Sequence, residues 1–189
     1  MQKLSQASKN ILVQRVNSIN NVNDLFENTY IREAKTGDYD RIWEIFFQVL
    51  KSADSYALLP STSKSYGFEY WFTVHVKTFV ICTQEGFIIG VYRILANNLG
   101  FGNHIANASY IVDPCYRIHG VGEKLAEHSF IEAKKQGYMA MQFNFVVSTN
   151  HAAVHLWKKV GFNIIGVSPK SYKHTKLGLV DTYIMHRYL

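Results

Sequence analysis

Residues 111–123 combine the residue types that bind a diphosphate. Arg117, Gly120 and Gly122 follow the pattern Arg-x-x-Gly-x-Gly, directly after an apolar run that ends at Asp113-Pro114. A glycine turn that leads into the first turn of a helix presents free backbone N–H groups, and the helix dipole adds partial positive charge. Glycine lets phosphate oxygens approach the backbone, and an arginine adds a charge-assisted contact. The spacing therefore indicates a phosphate-binding loop.

Two other glycine-rich phosphate loops are excluded by their spacing. A dinucleotide-binding turn needs three glycines and an acidic residue about 20 positions downstream. Position 125 is Leu125, and neither the third glycine nor a suitably placed acid is found. A Walker loop needs Gly-Lys-Ser/Thr, which this segment lacks.

A second motif lies one predicted strand downstream. Asn150, Ala153, Trp157, Gly161 and Phe162 follow the pattern Asn-x-x-Ala-x-x-x-Trp-x-x-x-Gly-Phe. In this order and separation, the two motifs resemble the pyrophosphate-binding segment and the Asn-x-x-Ala-x-x-x-Tyr-x-x-x-Gly-Phe helix of the GCN5-related N-acetyltransferases. The resemblance implies transfer of an acetyl group from acetyl-CoA, as co-substrate, to an amine, and it implies no metal.

The resemblance also implies roles for individual residues. Backbone groups of Val112 would meet the pantetheine arm, residues 117–122 would wrap the pyrophosphate, and Asn150 would hydrogen-bond the pantetheine. Asn150 also suits a helix N-cap, and the two roles are compatible. The full set predicted to bind the co-substrate is Ile111, Val112, Arg117, Ile118, His119, Gly120, Val121, Gly122, Glu123, Asn150 and Trp157.

Two departures from the family pattern leave the path of the catalytic protons open. Trp157 stands where the family often has a tyrosine that protonates the departing thiolate, and an indole N–H is not acidic enough for that task. The third predicted strand lacks the Asp or Glu that the family often has, so a water-relayed base through His104, Ser109 or Tyr110 is expected. Tyr110 and His155 are the predicted catalytic residues, and a structural role is the alternative for each.

Asn144 interrupts an apolar strand predicted over residues 139–147. A buried amide there needs hydrogen-bond partners, either on the adjacent strand or on a carboxylate or carbonyl of the acceptor. In the family that the chain resembles, the gap between the strands ending near Val112 and Val147 holds the reacting thioester. Asn144 is therefore the predicted substrate-binding residue, with a purely structural hydrogen bond as the alternative.

The elements that must position these residues follow from hydrophobic periodicity. Apolar residues at three- and four-residue spacing predict amphipathic helices, and glycine or proline marks the ends of several segments. The strand before the phosphate loop, the helix after it and the next strand form a βαβ unit with a parallel or splayed central pair. Helices are predicted over about 39–53, 68–77, 121–136 and 150–160, and strands over 30–34, 79–84, 87–95, 104–112, 139–147, 162–167 and 180–188.

These elements predict an α/β (α+β) domain with a mixed central sheet of about six to seven strands, splayed middle strands and about four helices. The resemblance runs from about residue 79 to the C-terminus and loosely from residue 30. Residues 29–189 are therefore predicted to form the acetyltransferase domain. Residues 1–28, rich in Asn, Ser and Gln, are predicted to be an N-terminal extension.

Length and composition fit one packed domain, since the 189 residues are 48% hydrophobic and 18% charged. The net charge of +6 suits an anionic partner, but no dense Lys/Arg run favours nucleic acid. Cys82 and Cys115 have neither disulfide nor metal spacing. Because the sequence also shows no signal peptide and no membrane-spanning apolar run, a cytoplasmic protein is expected that binds neither membrane nor metal.

Three functions remain open. The second motif and residues 180–185 look like the subgroup that acetylates small amino acids or their toxic analogues, including phosphinothricin-type and proline-analogue enzymes, which implies a small-molecule amine as acceptor. A protein N-terminal or lysine acetyltransferase is the second hypothesis and needs an open groove. The third is a non-catalytic CoA-binding or partner-binding module that kept the fold. A homodimer is compatible with all three.

Overall fold

The computed structural model describes residues 28–117 and 120–189. The predicted N-terminal extension lies outside the described residues except for Asn28, and so do Ile118 and His119 of the predicted phosphate loop. The strands are β1 (Thr29–Glu33), β2 (Lys77–Thr83), β3 (Ile88–Ala96), β4 (Ile105–Val112), β5 (Ala140–Val147), β6 (Asn163–His174) and β7 (Gly178–Tyr188), and the α-helices are α1 (Tyr39–Ser52), α2 (Lys64–Phe72), α3 (Val121–Lys135) and α4 (His151–Lys159).

The strands form one mixed sheet in the order β1-β2-β3-β4-β5-β7-β6. All neighbours are antiparallel except β4 and β5, which are parallel and are joined by α3 in the predicted βαβ unit. The parallel pairing is short, since it joins only Ile105 to Ala140 and Ala106 to Met141 in the described part of the chain. The predicted fold class, with its splayed middle strands, is confirmed.

Helix α1 forms where the periodicity predicts it and covers one face of the sheet together with α2. Its side chains Ile42, Ile45, Phe46 and Val49 are all nearly inaccessible to solvent, and burial of each contributes about 1.5–3 kcal/mol. The helix ends at Ala53, which adopts a left-handed φ of 49°. The chain then turns into a loop that runs towards the middle of the sheet.

Helices α3 and α4 cover the opposite face. Strand residues alternate between the two cores, so that Tyr92 packs on the α3 side and Val91 on the α1 side, as side chains of successive strand residues must. Leu125 of α3 and Trp157 of α4 belong to the same core as Tyr92. The sheet therefore has a packed layer of helices on each face.

The second helix begins four residues and ends five residues nearer the N-terminus than predicted. It occupies Lys64–Phe72 instead of 68–77, because Ser63 caps it by accepting the N–H of Tyr66 at 3.2 Å. Residues from Lys77 onward already belong to β2. The helix therefore begins earlier than hydrophobic periodicity alone predicts, because the Ser63 cap fixes its first turn.

Strand β6 extends past its predicted end at residue 167 to His174. The added part contains Pro169, which is tolerated because β6 is an outer strand of the sheet, where a missing N–H costs little. Its pairing with β7 is also irregular between Ser168 and Tyr172. Within residues 28–117 and 120–189, no helix is long and apolar enough to cross a membrane.

Candidate active site

A cleft opens where β4 and β5 diverge. Beyond Ala106 and Met141 the described residues of the two strands form no further pairs, and β5 also shifts register against β7 between Phe143 and Val146. The space left between the strands is part of a cleft of about 940 Å³. Its walls include the loop after α1 from one face of the sheet and α4 from the other. Two ligands can therefore meet in it from opposite faces.

A buried carboxylate fixes the chain at the end of β4. Asp113 is 3% exposed, and its Oδ1 accepts the N–H of Cys115 at 2.9 Å. Its Oδ2 forms an ion pair with Arg41 of α1, and Arg41 Nε also donates to the carbonyl of Ile88 at 3.1 Å. A buried carboxylate needs such partners. The turn that leads to the predicted phosphate loop is thereby anchored to α1.

The predicted phosphate loop leads directly into α3. Gly120 precedes the helix with φ of 98°, a left-handed conformation that favours glycine. Arg117 is exposed, and both residues line the cleft. Val121 is 1% exposed, so only its backbone is available to a ligand. The first N–H groups of a helix have no partner within the helix, and here they begin at the wall of the cleft, where they suit an anion.

Gly122 also permits close packing between α3 and α4. A Cβ at this position would lie 3.1 Å from Leu156 Cδ2 of α4. The next residue, Glu123, forms an ion pair with Lys159 of α4 at 2.7 Å. This pair offsets a negative charge that would otherwise repel an anion at the start of α3.

Asn150 caps α4, one of the two roles that its position suggested. Its Oδ1 accepts the N–H of Ala153 at 3.2 Å. The amide nitrogen takes no part in this bond, and Asn150 lines the cleft. The cap and a contact to a ligand are therefore compatible.

The hydroxyl of Tyr110 forms a hydrogen bond with a side chain of helix α3. Its ring lies 4.9 Å from that of Trp157, centroid to centroid, and its Oη lies 2.7 Å from Ser129 Oγ. Because Ser129 donates its own proton to the carbonyl of Ala126 at 2.6 Å, Tyr110 is the donor in the bond between the two hydroxyls. Burial raises the pKa of Tyr110, so the hydroxyl keeps its proton at neutral pH.

The expectation that Asn144 is buried is wrong. Asn144 is exposed, because β5 has diverged from β4 and lost its regular pairing with β7 at this point. Its Nδ2 donates to Asn97 Oδ1 at 2.6 Å, and its Oδ1 accepts from Gln142 Nε2 at 2.9 Å. Asn107 Nδ2 also donates to Asn97 Oδ1, at 3.0 Å. The result is an amide cluster at the wall of the cleft.

The cleft brings most of the predicted site residues together. Val121 is not among its lining residues, and His104, named as a relay candidate, is exposed and lies outside the lining. His155 is exposed on α4 within the lining. The predicted residues that line the cleft are Ser109, Tyr110, Ile111, Val112, Arg117, Gly120, Gly122, Glu123, Asn144, Asn150, His155 and Trp157.

The lining residues on the α1 side that are absent from the predicted site include Asp54, Tyr56, Tyr70 and Arg93. Tyr70 Oη lies 2.7 Å from Ser109 Oγ, and Tyr56 Oη donates to a backbone carbonyl of β4 at 3.1 Å. One of these lining residues has a signal in the sequence that could have identified it as a site residue: Arg93 is the charged residue of the otherwise uncharged strand β3. Asp54 and Tyr56 in the loop after α1, and Tyr70 in α2, stand in no sequence pattern that singles them out as site residues.

Among the described residues, no group of three His, Cys, Asp or Glu side chains is arranged to hold a metal ion. Asp54 and Glu123 are the carboxylate residues of the cleft lining in residues 28–117 and 120–189. Glu123 is already paired with Lys159. The charge that remains on the α1 side comes from Asp54 and Arg93.

The chain is similar in sequence and in structure to known acetyltransferases. The family model described as "Acetyltransferase (GNAT) family" matches residues 39–162. A GCN5-related N-acetyltransferase from Kribbella flavida is 32% identical to the chain, with a TM-score of 0.83, and the match covers 86% of this chain and 99% of that protein.

Two further proteins extend the comparison. The N-acetyltransferase aca1 of Schizosaccharomyces pombe is 31% identical over 98 residues, which are 51% of this chain and 47% of that protein, so the chain spans about half the length of this curated relative. A phosphinothricin acetyltransferase from Sinorhizobium meliloti, solved in complex with AcCoA, is 21% identical with a TM-score of 0.72, over 86% of this chain and 89% of its own. At that identity the likeness concerns the fold.

Proposed function

Because the chain belongs to the GNAT acetyltransferase family, we propose that it transfers the acetyl group of acetyl-CoA to the amine of a small molecule, an amino acid or an amino-acid analogue, by direct attack in a ternary complex. One observation carries the proposal. In the described residues, a continuous cleft extends through the sheet where β4 and β5 diverge, with the N-terminus of α3 at one wall and the aromatic side chains Tyr56 and Tyr70 at another. Such a cleft lets co-substrate and acceptor enter from opposite faces.

The α3 and α4 side is the proposed site of acetyl-CoA. The N–H groups that begin α3 and the guanidinium of Arg117 would hold the diphosphate, and Asn150 would donate to the pantetheine. The edge of β4 that faces the gap would meet the pantetheine amides, since it has no strand partner beyond Ala106 in the described residues. Ile118 and His119 belong to the same proposal, although they lie outside the described residues. The S. meliloti protein, solved with AcCoA, supports this choice of co-substrate.

In the proposed reaction, the amine nitrogen attacks the thioester carbonyl carbon and the carbon–sulfur bond breaks. CoA leaves as a thiolate and takes up a proton, while the amine loses one. His155 lies within the cleft lining on α4 and is the proposed donor to the thiolate. Tyr110, the other predicted catalytic residue, directs its proton to Ser129, so its contribution would require a different hydroxyl orientation.

Removal of the amine proton needs a base on the α1 side of the cleft. Asp54 is half-buried there, and its Oδ1 lies 2.8 Å from the Ser52 hydroxyl, which is also 2.7 Å from the Val49 carbonyl. The carboxylate therefore keeps lone pairs for a further donor. Ser109 also lines this side. We therefore assign the proton to Asp54, either directly or through water held by Ser109.

The aromatic wall on the α1 side favours a small acceptor over a protein chain. Tyr56 and Tyr70 form a wall there, and the side chains of both are anchored to β4. Phe46 stacks on Tyr70 with ring centroids 5.4 Å apart. A wall fixed in this way leaves room for a compact amine. A protein N-terminus or lysine side chain is the second candidate, because a terminal residue could also reach into the cleft.

An acceptor screen tests the proposal. The full-length protein is mixed with acetyl-CoA and each member of a panel of amino acids, amino-acid analogues, polyamines and short peptides, and both released CoA thiol and product mass are measured. A reaction without acceptor measures background hydrolysis. Acetylation of small amines supports the proposal, whereas acetylation of peptides alone favours the second candidate. Binding of acetyl-CoA without turnover on any acceptor would leave only a CoA-binding module.

A further inference from the structure

Arg93 is a half-buried cation at the α1 side of the cleft. Its Cζ lies 3.3 Å from the ring centroid of Tyr70, and one of its terminal nitrogens donates to the Tyr70 carbonyl. Its Nε is buried and has no hydrogen-bond partner among the described residues. The guanidinium is thus held in place by one aromatic ring and one carbonyl, with part of its donor capacity unused.

The charge of Arg93 is not neutralised by the described part of the protein. No carboxylate in residues 28–117 and 120–189 lies within 4.0 Å of it, whereas Arg41 pairs with Asp113 and Arg32 pairs with Asp38. Burial raises the pKa of Tyr56 well above its usual value, so that hydroxyl supplies no negative charge either. A half-buried cation without a counter-charge is costly, and a bound anion would offset that cost.

The position of Arg93 separates it from the proposed phosphate site. Arg93 lies opposite Ser109 on β4, while Gly90 lies opposite Val112, where the phosphate loop begins. Three residues of strand correspond to about 10 Å. Arg93 also faces the α1 and α2 layer, since its neighbour Tyr92 packs towards α3. An anion at Arg93 would therefore belong to the acceptor and not to the diphosphate of CoA.

We propose that Arg93 binds a carboxylate of the acceptor, so that the protein selects amines that also carry a carboxylate. This inference rests on the proposed function and names the substrate feature that the α1 side of the cleft recognises. The planar guanidinium fork matches a carboxylate in geometry. A single charge suits the single cation, because a doubly charged phosphate would leave excess negative charge beside the tyrosine wall. Asp54, the proposed base, lines the same side of the cleft and would meet the amino group of the same acceptor.

The test compares two acceptors that differ only in this group. An amino acid acetylated in the screen and its primary amide are assayed with the wild-type protein and with Arg93→Met, at a pH where each amine is half deprotonated. We expect Arg93→Met to lower kcat/KM for the amino acid by about 10- to 100-fold, mainly through KM. For the amide, kcat/KM should change less than about threefold, and KM for acetyl-CoA should stay unchanged.

Arg187 supplies a matched control, because it is also half-buried and pairs with no carboxylate in the part of the chain that the structure describes. Its guanidinium lies over Phe130 and donates to the carbonyls of Val160 and Tyr188, and it is not among the residues that line the cleft. Arg187→Met should destabilise the fold without changing the preference between the two acceptors. Arg93→Lys should restore part of that preference, since a point charge replaces the fork.

The outcomes separate the two proposals. Absence of turnover with every amine would remove the proposed function itself. Turnover with less than a threefold preference of the wild-type protein for the amino acid over its amide would overturn the role of Arg93 alone. An equal loss for both acceptors in Arg93→Met would also overturn it. If Arg93→Met fails to fold, the wild-type preference and the Arg93→Lys variant still decide the question.

Discussion

Replacing Gly120 with alanine probes the proposed phosphate loop at a constrained backbone position. Gly120 has φ of 98° directly before α3, and an L residue held in a left-handed conformation costs about 1–2 kcal/mol. We expect Gly120→Ala to lower the free energy of unfolding by about this amount. Part of the strain can be relieved if the loop shifts, and such a shift would move the first N–H groups of α3.

The effect on acetyl-CoA binding follows from that shift. A hydrogen bond to a charged group contributes about 1.5–3 kcal/mol, and each 1.4 kcal/mol corresponds to a factor of about ten in Kd. Loss of one such bond from the diphosphate should therefore raise the Kd for acetyl-CoA about 10- to 100-fold. Isothermal titration calorimetry measures the Kd, and urea unfolding of the same preparations measures stability.

Gly137 provides the control at the other end of the same helix. Its φ is 85°, and a Cβ built on it meets nothing within 4 Å. Gly137→Ala should carry a similar backbone cost but leave the Kd for acetyl-CoA unchanged. The phosphate-loop assignment is refuted if Gly120→Ala loses stability as expected and still binds acetyl-CoA with the wild-type Kd. A similar loss of affinity in Gly137→Ala would equally count against it.

Three further variants test other parts of the structure. Tyr110→Phe should lower stability by about 1 kcal/mol through its lost bond to Ser129 and change kcat less than threefold; a hundredfold loss of kcat would instead identify Tyr110 as a proton donor. Burial lowers the pKa of His128, which bonds Tyr92 at 2.6 Å, so the unfolded chain binds this proton first and stability should fall as the pH drops below about 6.5. Urea titrations should show a weaker pH dependence in His128→Gln, and an identical one would contradict this. Trp157→Ala should cost about 3 kcal/mol, because Trp157 is only 9% exposed, and a cost below 1 kcal/mol in urea unfolding would show that the aromatic cluster repacks.

Local signals account for the parts of the fold that the sequence predicted well. The glycine turn and the apolar period of α3 are both encoded within one short segment, as is the cap of α4 by Asn150. Three antiparallel pairs, β2–β3, β3–β4 and β6–β7, are joined by short connections, and α3 joins the parallel pair β4–β5 in the βαβ unit. These features need no knowledge of distant contacts.

The acceptor side of the cleft depends on contacts that no local pattern contains. Tyr70 of α2 reaches Arg93 of β3 and Ser109 of β4, so three separate elements meet in one wall. The exposure of Asn144 has the same origin, since strand alternation describes a regular sheet and β5 departs from one at this residue. The difference between the predicted and observed bounds of α2 has a local cause instead. Ser63 caps the helix and makes it begin earlier than predicted.

The short contact between β4 and β5 divides the sheet into two ladders, β1–β4 and β5–β7, connected by α3 and by two residue pairs. In the described residues, the amide hydrogens of β4 that face the gap have no strand partner beyond Ala106, so their exchange with solvent reports local fluctuation and not global unfolding. A bound pantetheine arm, which has amide groups of its own, would protect these hydrogens from exchange and connect the two ladders. The two ladders should then unfold more cooperatively as the ligand concentration rises. The reason is that binding stabilises the state in which the ligand contacts both ladders, by RT ln(1 + [L]/Kd).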